Sequence, residues 1–95
     1  MAIVVETLVP RGTRDQAEHL DARIGAAIKQ MGGPPDGLMA HFARPAGEGF
    51  LICNVWRSET EMKPFYDDVV LPGLADAGLV PDESHVAPVW SFARP

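Results

Sequence analysis

The sequence predicts an α+β fold, a ferredoxin-like sandwich in which a four-stranded antiparallel sheet carries two helices on one face in the order β-α-β-β-α-β. Three observations carry that expectation. Thr13-Arg-Asp-Gln16 and Ser58-Glu-Thr-Glu61 are capping signals, and each opens a run with helical spacing. Four runs rich in β-branched and aromatic residues are interleaved with those two helices. Residues 50–57 are largely apolar at both parities, with Phe50, Ile52, Asn54 and Trp56 on one side and Leu51, Cys53 and Val55 on the other. A strand of that kind needs cover on both faces.

Taken in order, residues 2–9 form the first strand, which Pro10 and Gly12 end. After the Thr13 box, Ala17, Leu20, Ile24, Ala27, Ile28 and Met31 recur at spacings of three and four and make one apolar stripe. Gly32-Gly33-Pro34-Pro35 stops this helix. Residues 37–43 form the second strand and 50–57 the third. The connection over 45–49 reads as longer than a two-residue hairpin loop. Met62, Phe65 and Val69 continue the second helix. Pro64 and Pro72 each lack an amide donor, so a kink or break is expected near each, with a last turn over 73–77 capped by Gly78. Residues 81–84 form a loop and 85–94 the fourth strand.

The 95 residues fit one domain spanning 1–95. The net charge of −5 argues against nucleic acid as a partner, because phosphate binding calls for a basic stripe. Cys53 is the only cysteine and sits mid-strand, so it reads as a buried structural thiol. The N-terminus has no basic n-region, and no apolar run approaches the ~18 residues of a membrane span. The expectation is a cytoplasmic protein with no membrane partner.

A sheet with helices on one face leaves the other bare, and its strands should then alternate between apolar and polar residues. They do not. The third strand is apolar on both sides, and the fourth places Val86, Trp90 and Phe92 on one parity and Ala87 and Val89 on the other. No loop is long enough to cover such a face, which predicts a homodimer whose two sheets pack together. At ~25 cal/mol per Å², covering several hundred Å² stabilises by ~10 kcal/mol before the cost of association.

The element order, the chain length and a strand ending in Val55-Trp56-Arg57-Ser58 before an acidic capped helix resemble the dimeric α/β-barrel superfamily, which includes the antibiotic-biosynthesis monooxygenase-like proteins. The run Val70-Leu-Pro-Gly-Leu-Ala-Asp-Ala-Gly78, followed by a last strand containing Pro-Val, is similar to small bacterial members of that group. The resemblance implies dimerisation into a barrel, and a ligand cavity in each protomer between the sheet and the second helix. It also implies oxygenation of a small aromatic or polyketide-like molecule without a cofactor. Trp56 matches the tryptophan that faces this cavity in the quinone-forming and haem-degrading members. The quinone-forming members place an asparagine on the same strand farther from the tryptophan, where this chain has Ile52; Asn54 lies closer. Haem-degrading members add an asparagine in strand one and a histidine in the second helix, and this chain has neither.

The residues themselves leave alternatives open. Asn54 either polarises a substrate carbonyl or makes a structural hydrogen bond. His41 and His85 are candidate proton-transfer groups or interface histidines. Trp56 contacts ligand or fills the barrel, and Tyr66 donates to a ligand at the rim or covers the helix–sheet seam. Ile52 and Trp90 complete the candidate ligand contacts. Glu6, within an apolar strand, reads as an acid–base group or an ion-pair partner. Three histidines on separate elements, without cysteine pairing, give no metal motif. Two functions therefore stand side by side: a cofactor-free monooxygenase, cyclase or isomerase, and a non-catalytic dimer that binds a small ligand or serves in stress or regulation.

Overall fold

The computed structural model describes residues 1–92. Its elements are β1 (Ile3–Val9), α1 (Arg14–Gln30), β2 (Leu38–Ala46), β3 (Gly49–Trp56), α2 (Glu59–Phe65), a π-helical turn (Tyr66–Val70), α3 (Leu71–Asp76) and β4 (His85–Pro88). The strands make one antiparallel sheet in the order β2-β3-β1-β4. This is the expected α+β arrangement, with β1 and β3 central and β2 and β4 at the edges.

The first capping box forms in full. The Gln16 amide donates to Thr13 Oγ1 at 3.2 Å, and the Thr13 amide donates to Gln16 Oε1 at 2.9 Å. Leu20 and Ile24, at the centre of the predicted stripe, are buried against the sheet, whereas Met31 at its end is exposed. At the second box the Ser58 hydroxyl accepts from the Glu61 amide at 3.3 Å. The Glu61 carboxylate accepts from the Ser58 hydroxyl at 2.8 Å and from the Arg57 guanidinium. The Arg57 hydrogen bond, and after it the Ser58 one, hold the Glu61 carboxyl below the usual carboxylate range.

Three local departures from the expected elements have physical causes. The helix accommodates Pro64 within α2 and changes register just before Pro72. There the Leu71 amide donates to Tyr66 O, five residues back, and this π turn widens the helix where the Pro72 ring would otherwise meet the preceding turn. Strand β2 runs on through Pro45 to Ala46, so the hairpin loop is only Gly47-Glu48. Pro45 is tolerated because β2 is an edge strand, and Gly47 supplies the φ of +56° that a tight hairpin turn requires. Strand β4 stops at Pro88, opposite Ile3 where β1 begins; just beyond it the Val89 amide donates to Ala2 O at 2.8 Å. The expected strand over 85–94 is therefore shorter, and Ala93 and Arg94 lie outside the described residues.

The two sheet faces separate by parity. Val5, Thr7 and Val9 of β1 and Phe50, Ile52, Asn54 and Trp56 of β3 face the helices and are buried. The apolar ones form the core with Leu20, Ile24, Met62, Phe65, Val70 and Leu74. The other face carries aligned rows: Ala40, Val55, Val4 and Ala87; Phe42, Cys53, Glu6 and His85; Arg44, Leu51 and Leu8. Burial, with Glu6 adding to it, pushes the Cys53 thiol up, away from the reactive thiolate.

Candidate functional site

The hairpin register assembles the site. Pairing Ala46 with Gly49 across the two-residue loop carries His41 opposite Asn54, both on the helix-facing side. The His41 Nδ1 lies 2.8 Å from Asn54 Oδ1, and its Nε2 lies 3.1 Å from Asp21 Oδ1 on α1. With Asn54 Oδ1 as the acceptor, Nδ1 is the donor, and in a ring holding that single proton Nε2 is the basic nitrogen. The carboxylate of Asp21 also only accepts. Its contact with Nε2 therefore becomes an ion pair when the ring is protonated at both nitrogens. Asn54 is 1% exposed, whereas the Asp21 side chain is 64% exposed. The ring thus has a buried partner on one side and a solvent-exposed one on the other.

His41 and Asp21 line a groove of about 620 Å³ between the N-terminal half of α1 and the β2–β3 hairpin, with Asn54 buried behind His41. That volume suits a small organic molecule. Ala17, Ala43, Pro45 and Phe50 give it apolar surface, and Arg14, Glu18, Asp21 and His41 supply charge. Two glycines on its lining are fixed by close approach. A Cβ at Gly49 would fall 2.0 Å from Val9 O, and one at Gly12 would fall 2.3 Å from the Phe50 ring. The hairpin is therefore held tightly against the β1–α1 loop.

Trp56 lies at the other end of β3. It is 1% exposed and packs against Phe65, with ring centroids 5.5 Å apart and planes tilted by 54°. Neither its Nε1 nor the Asn54 amide nitrogen has a hydrogen-bond partner among the described residues, although both atoms are buried. Ile52 faces the same core. The Tyr66 hydroxyl, on the π turn, meets Thr7 Oγ1 at 2.5 Å and the Ser84 hydroxyl, and Thr7 Oγ1 meets Ser84 Oγ at 2.7 Å. These three hydroxyls can satisfy one another in a ring, tying the π turn to β1 and to the segment before β4.

The structure thus brings His41 and Asn54 together and leaves the remaining candidates apart. His85 is exposed on the opposite sheet face, beside Glu6, and Trp90 is 90% exposed beyond the end of β4. The expected cavity between the sheet and α2 contrasts with the groove found beside α1. Asp21 was not among the sequence candidates. The available signal was the hairpin turn: reading Gly47-Glu48 as a two-residue loop would have placed His41 against Asn54. Among the described residues, no three His, Cys, Asp or Glu side chains are grouped to hold a metal ion, and no helix is long and apolar enough to cross a membrane.

No protein-family model and no curated protein matches this sequence. Solved structures do. SnoaB, a cofactor-independent oxygenase from Streptomyces nogalater, superposes with a TM-score of 0.64 at 13% identity, over 96% of this chain and 94% of that one. A candidate antibiotic biosynthesis monooxygenase from Deinococcus radiodurans gives a TM-score of 0.61 at 16% identity, over 100% of this chain and 98% of that one. Rv0793 from Mycobacterium tuberculosis gives 0.57 at 17% identity, over 98% of each chain. The fold of the chain is that of the antibiotic-biosynthesis-monooxygenase-like structures.

Proposed function

We propose that this protein binds a small, weakly acidic aromatic molecule in the groove beside α1 and, with His41 as general base, opens it to cofactor-independent oxygenation. The observation that carries the reading is the His41–Asn54 hydrogen bond, which leaves the basic Nε2 on the groove side. The ligand displaces the exposed Asp21 carboxylate from Nε2 and presents an acidic C–H or O–H to it. The proton moves to the ring, and the Asp21 carboxylate offsets the new imidazolium charge. The electron-rich anion left behind is the species that dioxygen oxidises. For a methylene flanked by aromatic or carbonyl groups the balance is CH2 + O2 → C=O + H2O, with the substrate supplying all four electrons. The fold shared with a cofactor-independent oxygenase supports the reaction class.

The test is incubation of anthrone-type and hydroxylated aromatic compounds under ¹⁸O-labelled dioxygen, with mass spectrometry of the products. One labelled oxygen per product molecule is expected, together with a loss of about 10²–10⁴-fold in rate for His41→Gln. Turnover indifferent to that substitution would remove the base and the reading with it.

We further propose a homodimer formed through the open sheet face. Phe42 is 47% exposed on that face, and Leu51 and Leu8 continue the apolar surface across it. Light scattering at micromolar concentration should return twice the chain mass. Leu51→Lys should shift it toward one chain mass without unfolding the protein, because a buried unpaired charge opposes association by several kcal/mol, about 3 or more. A parent protein that scatters as a monomer would end this part of the proposal.

A further inference from the structure

We infer that the outer edge of β2 holds the ligand's oxygen: the backbone amide of Ala43 donates to a carbonyl, and the groove takes neutral, enolisable ketones. The inference rests on the acid–base reading above and adds the class of ligand to it. Ala46 and Gly49 flank a two-residue loop, so they form the hydrogen-bonded pair that closes the hairpin, and bonded and unbonded pairs alternate from there. Arg44 and Phe42 therefore bond to β3, whereas Pro45, Ala43 and His41 turn their backbone groups outward. Pro45, which has no N–H, keeps its place in the ladder, and its carbonyl is free to accept from Arg44 Nη1 at 3.0 Å. On β1 the same alternation turns Leu8 O away from β3, and it accepts from the Asp82 amide at 2.8 Å. β2 lies at the sheet edge, and among the described residues no group accepts from the outward amide of His41 or Ala43. Residues 41–45 all border the groove, although alternate side chains point to opposite sheet faces. The groove thus runs along the edge of the strand, and the outward amides open onto it. Ala43 is exposed, and its methyl group leaves the amide open to approach.

The protein as a whole carries −5, and in the groove Glu18 and Asp21 face one cation, Arg14, which Glu18 already pairs at 3.0 Å. A ligand that arrives as an anion is repelled. A neutral ketone is not, and it gains charge only as His41 Nε2 takes the proton beside its carbonyl. In that step the C–H electron pair becomes the C=C bond of an enolate, and the carbonyl π pair moves onto oxygen. A fixed backbone N–H stabilises that oxygen without a counter-ion. His41 and Ala43 lie two residues apart on the same side of β2, roughly 7 Å at the strand rise. With a hydrogen bond at each end, that span fits a ligand whose acidic C–H and carbonyl are close together. Pro45 and Phe50 offer apolar surface for its ring.

The test is hydrogen–deuterium exchange of 2-tetralone in D2O, followed by NMR with the full chain under nitrogen, where no oxygenation competes. The parent protein should speed exchange at the carbons beside the carbonyl, and His41→Gln should abolish the gain. Ala43→Pro removes the outward N–H and should slow exchange by about tenfold or more; one donor to an oxyanion in an enclosed site is worth about 10²–10³-fold, and this edge is open. The register tolerates proline here, as Pro45 shows two residues on. A chemically synthesised chain with lactate in place of Ala43 exchanges the N–H for an ester oxygen and keeps the shape. It should slow exchange as much, and it decides the matter if the proline ring disturbs the strand. Ala43→Val, which keeps the amide, should stay within about twofold of the parent. Exchange that needs His41 but is unchanged in the lactate chain overturns this inference and leaves the acid–base reading intact. So does an equal loss in Ala43→Val, which would assign the effect to bulk. If the parent protein gives no exchange above buffer, both fall.

Discussion

The helix-facing side of β3 ends in two different ways. At its beginning, Phe50 borders a groove that α1 leaves open, and several side chains around it are charged and exposed. At its end, Trp56 is enclosed by the core and packed against Phe65. The same strand, with the same alternation, thus gives one end that borders an open groove and one enclosed by the core. What decides between them is the cover. Strand β2 lies at the sheet edge, and Ala43 on its helix-facing side is exposed, whereas Met62, Phe65 and Tyr66 are buried in the core that contains Trp56. The tryptophan that resembles a cavity residue in sequence is buried here against Phe65.

That contrast is broken most severely at the filled end. Trp56→Ala should cost about 3–5 kcal/mol, the range for removing a large buried aromatic, with chemical denaturation as the measurement. Trp56→Phe should cost far less, about 1 kcal/mol, because it keeps most of the apolar area and removes an indole N–H that is buried without a partner. If Trp56→Ala proved nearly neutral in stability yet abolished ligand binding, the filled end would be the site and the contrast would reverse.

Much of this fold was readable from residue order. Thr13 with Gln16, and Ser58 with Glu61, fixed where the helices begin. The parity of residues 50–56 separated the core face from the open one. The site was only half readable. His41 and Asn54 stood out by type, but their contact depends on hairpin register, and register depends on whether a loop has two residues or five. Pro45 pointed to the longer loop, since proline normally ends a strand; only the sheet order, with β2 at the edge, lifts that restriction. Asp21 was hidden for another reason. A solvent-facing aspartate on an amphipathic helix is indistinguishable in sequence from Asp15 or Glu18, and only the packing of α1 across β2 gives it a histidine to meet.

Asp21 also offers the finest probe of the contrast. The side chain is exposed, so its ion pair with His41 is screened and worth at most about 1 kcal/mol to the fold, and Asp21→Asn should leave the denaturation midpoint nearly unchanged. Its effect should fall on turnover. An asparagine occupies the same space but carries no charge to offset an imidazolium formed when His41 takes a proton. The rate should drop by about tenfold, the size of a modest electrostatic contribution and well short of the loss from removing the base itself. The affinity for a neutral ligand such as 6-hydroxy-2-naphthamide should hold or improve slightly, because the ligand no longer displaces a charged side chain to reach Nε2. A fall in stability with no change in rate would make Asp21 a strut between α1 and β2. A fall in rate alone makes it the positioning residue of a working base.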